Sequence, residues 1–364
     1  MIPIAKPMIG EEEKSNVLKV LDSGMLAQGE WVKNFEDEFS KYLNVPHSVA
    51  VSSGTAALDL VLKAAGVKAG DEVIVPDFTF IASVNSVLFQ GAKPVFADVR
   101  PDTFNINPDE IKEKITDKTK AVIAVHLFGQ SAELKPITEL CNDRNLILIE
   151  DAAQAHGAEY NGQKVGTFGI GIFSFYPTKN MTCGEGGMVT TSNEEIDDKV
   201  RLLRDHGQRE KYLHGILGYN FRLTNLGAAI GLAQLKKLEE FNKKRIGNAD
   251  YLTSQISKIK GLTPPKPLGN VKHVYHQYVV KVEDDFPLTR DELQDYLKSK
   301  GVGTALHYPI PVSQQPLYKN LGYAGTLCPV TEELCKKVLS LPVHPALSSD
   351  DLEHIVKVLK EAGA

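Results

Sequence analysis

Residues 151–188 read DAAQAHGAEYNGQKVGTFGIGIFSFYPTKNMTCGEGGM, and the chemistry spaced along this stretch decides how the rest of the chain is read. A carboxylate, Asp151, follows closely on the apolar run Leu146-Ile147-Leu148-Ile149. Lys179 stands between a short apolar strand and a turn carrying Gly184, Gly186 and Gly187. An acid at the carboxyl end of a strand, with a lysine 28 residues on in a Ser-Phe-Tyr-Pro-Thr-Lys-Asn context, suggests a pyridoxal phosphate site. A lysine amine forms a Schiff base with the aldehyde of that cofactor, and an aspartate keeps its ring nitrogen protonated so that the ring draws electrons. Each residue also has a plainer reading, Asp151 as a helix cap and Lys179 as a solvated charge.

Working outward, the chain before Asp151 alternates. Strands are predicted at 48–52, 72–75, 94–99, 121–126 and 146–150, and helices at 55–65, 80–89, 108–115 and 132–143. Strands separated by helices predict an α/β fold, a largely parallel sheet sandwiched between helices. Ligands of such sheets bind beyond the carboxyl ends of the strands. Asp151, Ser53-Gly54-Thr55 and Asp77-Phe78 fall there. Further upstream, residues 1–12 read as extended and 13–21 as a helix. A loop over 23–31, with Gly24, Gly29 and an exposed-looking Trp31, reads as a flap over a site. Val32, Phe35, Phe39 and Leu43 then recur at helical spacing, as core.

Downstream, a strand ends at Thr190-Thr191, a helix covers 194–204, and a long helix starts near Asn225. The texture changes beyond Phe241. A strand at 276–282 precedes a helix opened by a capping box, Thr289 with Glu292. A proline-rich loop, HYPIPVSQQPLY, leads to helices at 331–339 and 349–361. The expected division is a large domain over 1–240 and a smaller α/β domain over 241–364.

The bulk numbers exclude several classes. With 42% hydrophobic and 24% charged residues in 364, the chain reads as an ordinary soluble globular protein. A net charge of −5 without basic clusters argues against nucleic acid. No apolar run approaches the roughly 20 residues of a membrane span, and MIPIAKPMIGEEEK is not a signal peptide. Cys141, Cys183, Cys328 and Cys335 are scattered, so neither a metal site nor a disulfide framework is indicated and the expected setting is the reducing cytoplasm.

Two further features carry chemistry. Ser52-Ser53-Gly54-Thr55-Ala56-Ala57 is a strand–glycine–helix junction, whose free amides make either an anion site or an ordinary helix cap. Gln154 and His156 follow Asp151; His156 reads as a core or supporting histidine. Around Lys179, partial desolvation lowers the amine pKa and suits it to proton transfer, while Ser174 can donate its hydroxyl to a phosphate.

SSGTAAL, DFTFIASVNSV, GAKPVFADV, VHLFGQ, IEDAAQAHGA, SFYPTKNMTCGEGG, LRDHG and GYNFRLTNLGAAIGLAQL occur in this order. Together they resemble the sugar-nucleotide aminotransferases of the DegT/StrS type, over nearly the whole chain. The resemblance implies the aspartate-aminotransferase fold, PLP-transferase fold type I, with pyridoxal phosphate as cofactor. It implies Lys179 as the Schiff-base lysine, Asp151 as partner of the pyridine nitrogen, Gln154 beside the ring hydroxyl and Phe80 stacked on the ring. Gly54, Thr55, Ala56 and Ser174 match the phosphate cup. Asn220 matches a residue that reaches the phosphate from the neighbouring subunit, which implies a homodimer with shared sites. Arg222 fits that region or a salt bridge.

The resemblance also implies the reaction: transamination from L-glutamate to a nucleotide-linked keto sugar. The favoured acceptor is a 4-keto-6-deoxyhexose, as in perosamine and O-antigen biosynthesis, and the alternative is a 3-keto sugar. Trp31 and the loops 206–219 and 307–318 are the expected sugar contacts. The family often has a histidine in a Pro-Leu-His-x-Gln-Pro pattern, where this chain reads Pro311-Val312-Ser313-Gln314-Gln315-Pro316. Ser313 stands at the histidine's place, and His307, in LHYPIP, reads either as the polar group that replaces it or as a histidine packed in the loop. A PLP-dependent dehydratase of the same fold commonly lacks the lysine or adds cluster-binding cysteines, and a non-enzymatic regulator loses Lys179 or Asp151.

Overall fold

Alternate residues of the central strands feed two different cores. The computed structural model describes residues 1–364. Seven short strands form its main sheet: β1 (His47–Val51), β2 (Glu72–Pro76), β3 (Lys93–Ala97), β4 (Thr119–Val125), β5 (Ile147–Asp151), β6 (Ile170–Ser174) and β7 (Gly187–Thr191). In β2, Val73 and Val75 join one apolar cluster and Ile74 the other; in β4, Ala121 and Ile123 oppose Val122 and Ala124. Successive side chains point to opposite faces of a strand, so the sheet is buried on both sides, as parallel sheets are. The helices Gly54–Ala64, Ala82–Phe89 and Glu194–Arg204 cover one face. Glu30–Leu43, Pro108–Lys114, Leu134–Asp143 and the first half of Asn225–Ile256 cover the other.

The strand order is β1-β7-β6-β5-β4-β2-β3. Only β7 runs against its neighbours. It is joined to β6 without a crossover helix, and a direct turn between adjacent strands forces an antiparallel pair. That turn, residues 175–186, carries Lys179 and lies at the same sheet edge as the end of β5. The sheet is therefore mostly parallel, with one reversal that places the lysine beside Asp151.

A smaller antiparallel sheet holds β8 (Leu262–Thr263), β9 (Tyr278–Val282) and β10 (Val338–Leu341). It packs with Arg290–Ser299 and Ser349–Ala362 around a third core. The helix Asn225–Ile256 gives Ala228 and Leu238 to the second core and Ala249, Leu252 and Ile256 to the third. It is one unbroken helix of 32 residues, roughly 48 Å long, and it passes through position 240. Ile2 also belongs to the third core; its N–H donates to Gly301 O (2.8 Å) and its carbonyl accepts from Gly303 N–H (2.8 Å).

Two local expectations differ from the structure. The helix predicted over 331–339 ends at Lys337, and Val338–Leu341 is a strand. Leu334, Cys335, Val338 and Leu339 fit helical spacing and a buried strand equally, and pairing with β9 decides between them. The helix predicted from Phe80 begins at Ala82, which leaves Phe80 in a loop, 55% exposed. No helix is long and apolar enough to cross a membrane.

Candidate active site

A cavity of about 350 Å3 lies beyond the carboxyl ends of the strands. Asp151 closes β5 and faces it. Its Oδ2 accepts from the Ser83 hydroxyl at 2.7 Å and its Oδ1 from Ala153 N–H at 3.2 Å. Burial pushes its carboxyl above the usual range; these two donors and the nearby Lys179 charge pull the other way. Glu150, one residue earlier, points to the opposite side of the strand. There it accepts the amides of Gly166, Phe168 and Gly169, and accepts from His126 Nε2 at 3.1 Å, whose Nδ1 in turn accepts Ala132 N–H. Two adjacent acids thus have different tasks because a strand alternates its side chains.

Lys179 lines the same cavity. Burial there pushes the amine down to about 8, against the pull of Asp151. A useful fraction of the amine is then unprotonated near neutrality, as a nucleophile or base requires.

The helix Gly54–Ala64 points its N-terminus into the cavity. Ser53 caps it, accepting Ala56 N–H at 3.1 Å, and Gly54 and Thr55 lie on the cavity wall. A Cβ at Gly54 would meet the Ser174 Cβ at 2.8 Å. Glycine alone lets the helix start and Ser174 close into one cradle of amides and hydroxyls, to which the helix dipole adds a positive end. Ala56 lies behind the cradle, its amide taken by Ser53 and its side chain in the first core.

Gln154 is held at both ends of its amide. Its Oε1 accepts Phe128 N–H at 2.8 Å and its Nε2 donates to the Tyr308 hydroxyl at 3.1 Å. Phe80 lies on the cavity wall with its ring 6.3 Å from that of Tyr308. His307 is there too, its Nδ1 2.8 Å from Ser340 Oγ; burial and the Lys179 charge push its imidazole down to about 4.

Five residues named from sequence lie elsewhere in this chain. Asn220 is exposed, on a segment bridged to Asp205. Arg222 forms an ion pair with Asp205. Trp31 is not in a flap: it sits in the first turn of Glu30–Leu43 and packs against the second core. Ser313 is 1% exposed and donates both its N–H and its hydroxyl to the carboxylate of Asp77, each at 2.7 Å. His156 is fully buried between Phe173 and Phe175, at 5.4 and 5.7 Å, and burial pushes it down to about 3. Ser83, Tyr308, His276 and Gln277 line the cavity without having been singled out. Ser83 stood inside the quoted DFTFIASVNSV and Tyr308 beside His307, so position next to a named residue was the only signal.

Residues 7–360 match the DegT/DnrJ/EryC1/StrS aminotransferase family. The chain belongs to that family. It is 40% identical over 352 residues to the UDP-N-acetyl-3-dehydro-alpha-D-glucosamine 3-aminotransferase of Acidithiobacillus ferrooxidans, covering 96% of this chain and 93% of the relative. It is 36% identical over 364 residues to the GDP-perosamine synthase of Vibrio cholerae, covering 99% and 98%. Among solved structures, S. venezuelae DesV in complex with a ketimine intermediate superposes with a TM-score of 0.93 at 36% identity, over 97% of this chain and 95% of that one. The fold is that of the type I PLP transferases, and the protein is an aminotransferase whose cofactor is pyridoxal phosphate. The donor set suits that group: a close-packed anion cradle at Gly54 and Ser174, a buried acid, and an amine of lowered pKa on one cavity wall.

Proposed function

We propose that the protein transfers the amino group of L-glutamate to a nucleotide-linked 4-keto-6-deoxyhexose, giving a 4-amino sugar nucleotide for polysaccharide biosynthesis such as O-antigen assembly. The observation that carries the aminotransferase part is the convergence of Lys179 and Asp151 on one cavity beside the Gly54 cradle. The likeness to a GDP-perosamine synthase supports the 4-amino outcome. The 40% identity to a 3-aminotransferase favours a second reading, in which the acceptor is a 3-keto sugar.

When bound, the cofactor supplies an electron sink for the carbon that loses its proton. The chain's residues do the rest. The amides of Gly54 and Thr55 and the Ser174 hydroxyl bind its phosphate. Asp151, steadied by Ser83, holds the proton on the ring nitrogen. Gln154 orients the ring edge and Phe80 covers one ring face. Lys179 Nζ would hold the cofactor and, once the donor's amine has displaced it, would take the proton from the α-carbon of the donor, and in the second half-reaction would deliver a proton to the carbon that receives nitrogen.

The homodimer belongs to the same reading. Tyr212 and Leu213 on the hairpin, with Ile216 and Leu217 just beyond it, are all exposed on the segment that leads to Asn220, an apolar surface that supports a dimer in which Asn220 meets the second copy's phosphate cradle. The cytoplasmic setting rests on the four scattered cysteines, and the division at 240 on the separate third core. The test is a panel of UDP-, dTDP- and GDP-linked 3- and 4-keto sugars with glutamate, with the amino position read by NMR. Amination at C4 is expected, and turnover of 3-keto sugars alone would overturn it.

A further inference from the structure

Ser313, where relatives of the resembling pattern carry histidine, is buried away from the cavity, yet its bonds lead back to it. Val312 N–H donates to the carbonyl of Asp77 at 3.1 Å, and Ser313 fills both oxygens of the Asp77 carboxylate. Asp77 is 1% exposed. It faces Asp98 and the Cys328 thiol but no cation, and burial pushes its carboxyl up. A buried carboxylate with no counter-charge depends on its hydrogen-bond donors, so the Ser313 pair holds the loop firmly on residue 77.

The clamp then reaches the site along two short paths. Asp77 is followed directly by Phe78-Thr79-Phe80, and Thr79 and Phe80 form cavity wall. Ser313 is preceded by Tyr308-Pro309-Ile310-Pro311-Val312. Two prolines with fixed φ stiffen this link, so a shift at Ser313 is carried to Tyr308 rather than absorbed. The Tyr308 ring packs on those of Phe78 and Phe80, at 6.1 and 6.3 Å, and its hydroxyl holds Gln154.

We propose that Ser313 is a positioning residue of the active site: its clamp on Asp77 fixes the loop that sets the Tyr308 hydroxyl on the Gln154 amide. Resting on the aminotransferase reading, this makes residue 313 a tuner of the cofactor's surroundings and removes it from the sugar contacts.

The test uses the holoenzyme loaded with pyridoxal phosphate, and compares wild type with Ser313→Ala, Ser313→Thr, Tyr308→Phe and the double variant Ser313→Ala/Tyr308→Phe. The pH midpoint of the cofactor's visible absorbance is the readout. The titratable groups around Lys179, namely Asp151 and the imidazoles of His276, His307 and His156, whose pKa burial lowers, stay unchanged in all of them. Tyr308→Phe is expected to move the midpoint by roughly half a unit or more, since it removes the acceptor of the Gln154 amide. Ser313→Ala moves it in the same direction, Ser313→Thr restores it, and the double variant moves no further than Tyr308→Phe, as for residues acting in series. An unmoved midpoint in Tyr308→Phe overturns the proposal. So does a Ser313→Ala protein that melts earlier at an unchanged midpoint, or a double variant whose shifts add. The titration needs no sugar nucleotide, so an error in the assigned acceptor would leave it intact.

Discussion

Lys179 and Asp151 meet in a recess where burial acts on both, lowering the amine and raising the carboxyl. Capture of the cofactor by the apoprotein needs the unprotonated amine. Its rate is expected to rise with pH, reach half its maximum near the amine pKa of about 8 and level off above it. A stopped-flow absorbance series between pH 6 and 10 (roughly two units either side) checks this, and Lys179→Ala should leave no band that borohydride fixes to protein. At Gly54 the limit is steric. Gly54→Ala forces its new methyl to within 2.8 Å of the Ser174 Cβ, a strain of about 1–3 kcal/mol, and cofactor affinity should fall by about tenfold or more in fluorescence titration. Lys179, Asp151, Gln154, Gly54 and Ser174 were legible because each sits in a local context with its own chemistry. The pairs Gln154–Tyr308 and Asp77–Ser313 were not, since their members are far apart in sequence and only the fold brings them together.

At the scale of elements, the alternation of strand and helix up to Asp151 could be read because each segment carries its own period. The error at 338–341 arose where the period was ambiguous and a distant partner, β9, decided. The helix Pro329–Lys337 shows the same dependence at its other end. Its first amides are capped from another part of the chain: Asp98 accepts Val330 N–H at 2.8 Å, Thr331 N–H at 2.9 Å and the Thr331 hydroxyl at 2.7 Å. Asp98→Ala leaves three buried donors without a partner and should cost about 2–4 kcal/mol of stability, read as a lower urea midpoint with an unchanged slope. A sequence reader looking for a cap would search the residues just before Pro329 and miss it.

For the whole molecule, the proposed sharing of sites across two copies gives a sharp expectation. A Lys179→Ala subunit keeps Asn220, and an Asn220→Ala subunit keeps Lys179. Refolded together in equal amounts, half of the dimers combine both, and each of these has one complete site. Activity should return to about a quarter of wild type, from two inactive parents. No recovery, with mixed dimers present by native mass spectrometry, would place Asn220 in its own subunit's chemistry or in none. The single sheet with helices on both faces was visible in the alternating pattern; the one reversed strand β7 was not, because direction depends on the turn and not on composition.

Ile2 lies in the core built mainly by the last third of the chain, bonded to Gly301 and Gly303 on either side. On the ribosome, then, Ile2 has no seat until about three hundred further residues have followed. The main sheet can assemble while it waits, but the smaller core closes only when Ile2 meets the last third of the chain, a contact of very high sequence separation and so a late one. A bulky fusion joined to Met1 would burden that last step, and with it the cavity wall that His276, Gln277, His307 and Tyr308 supply.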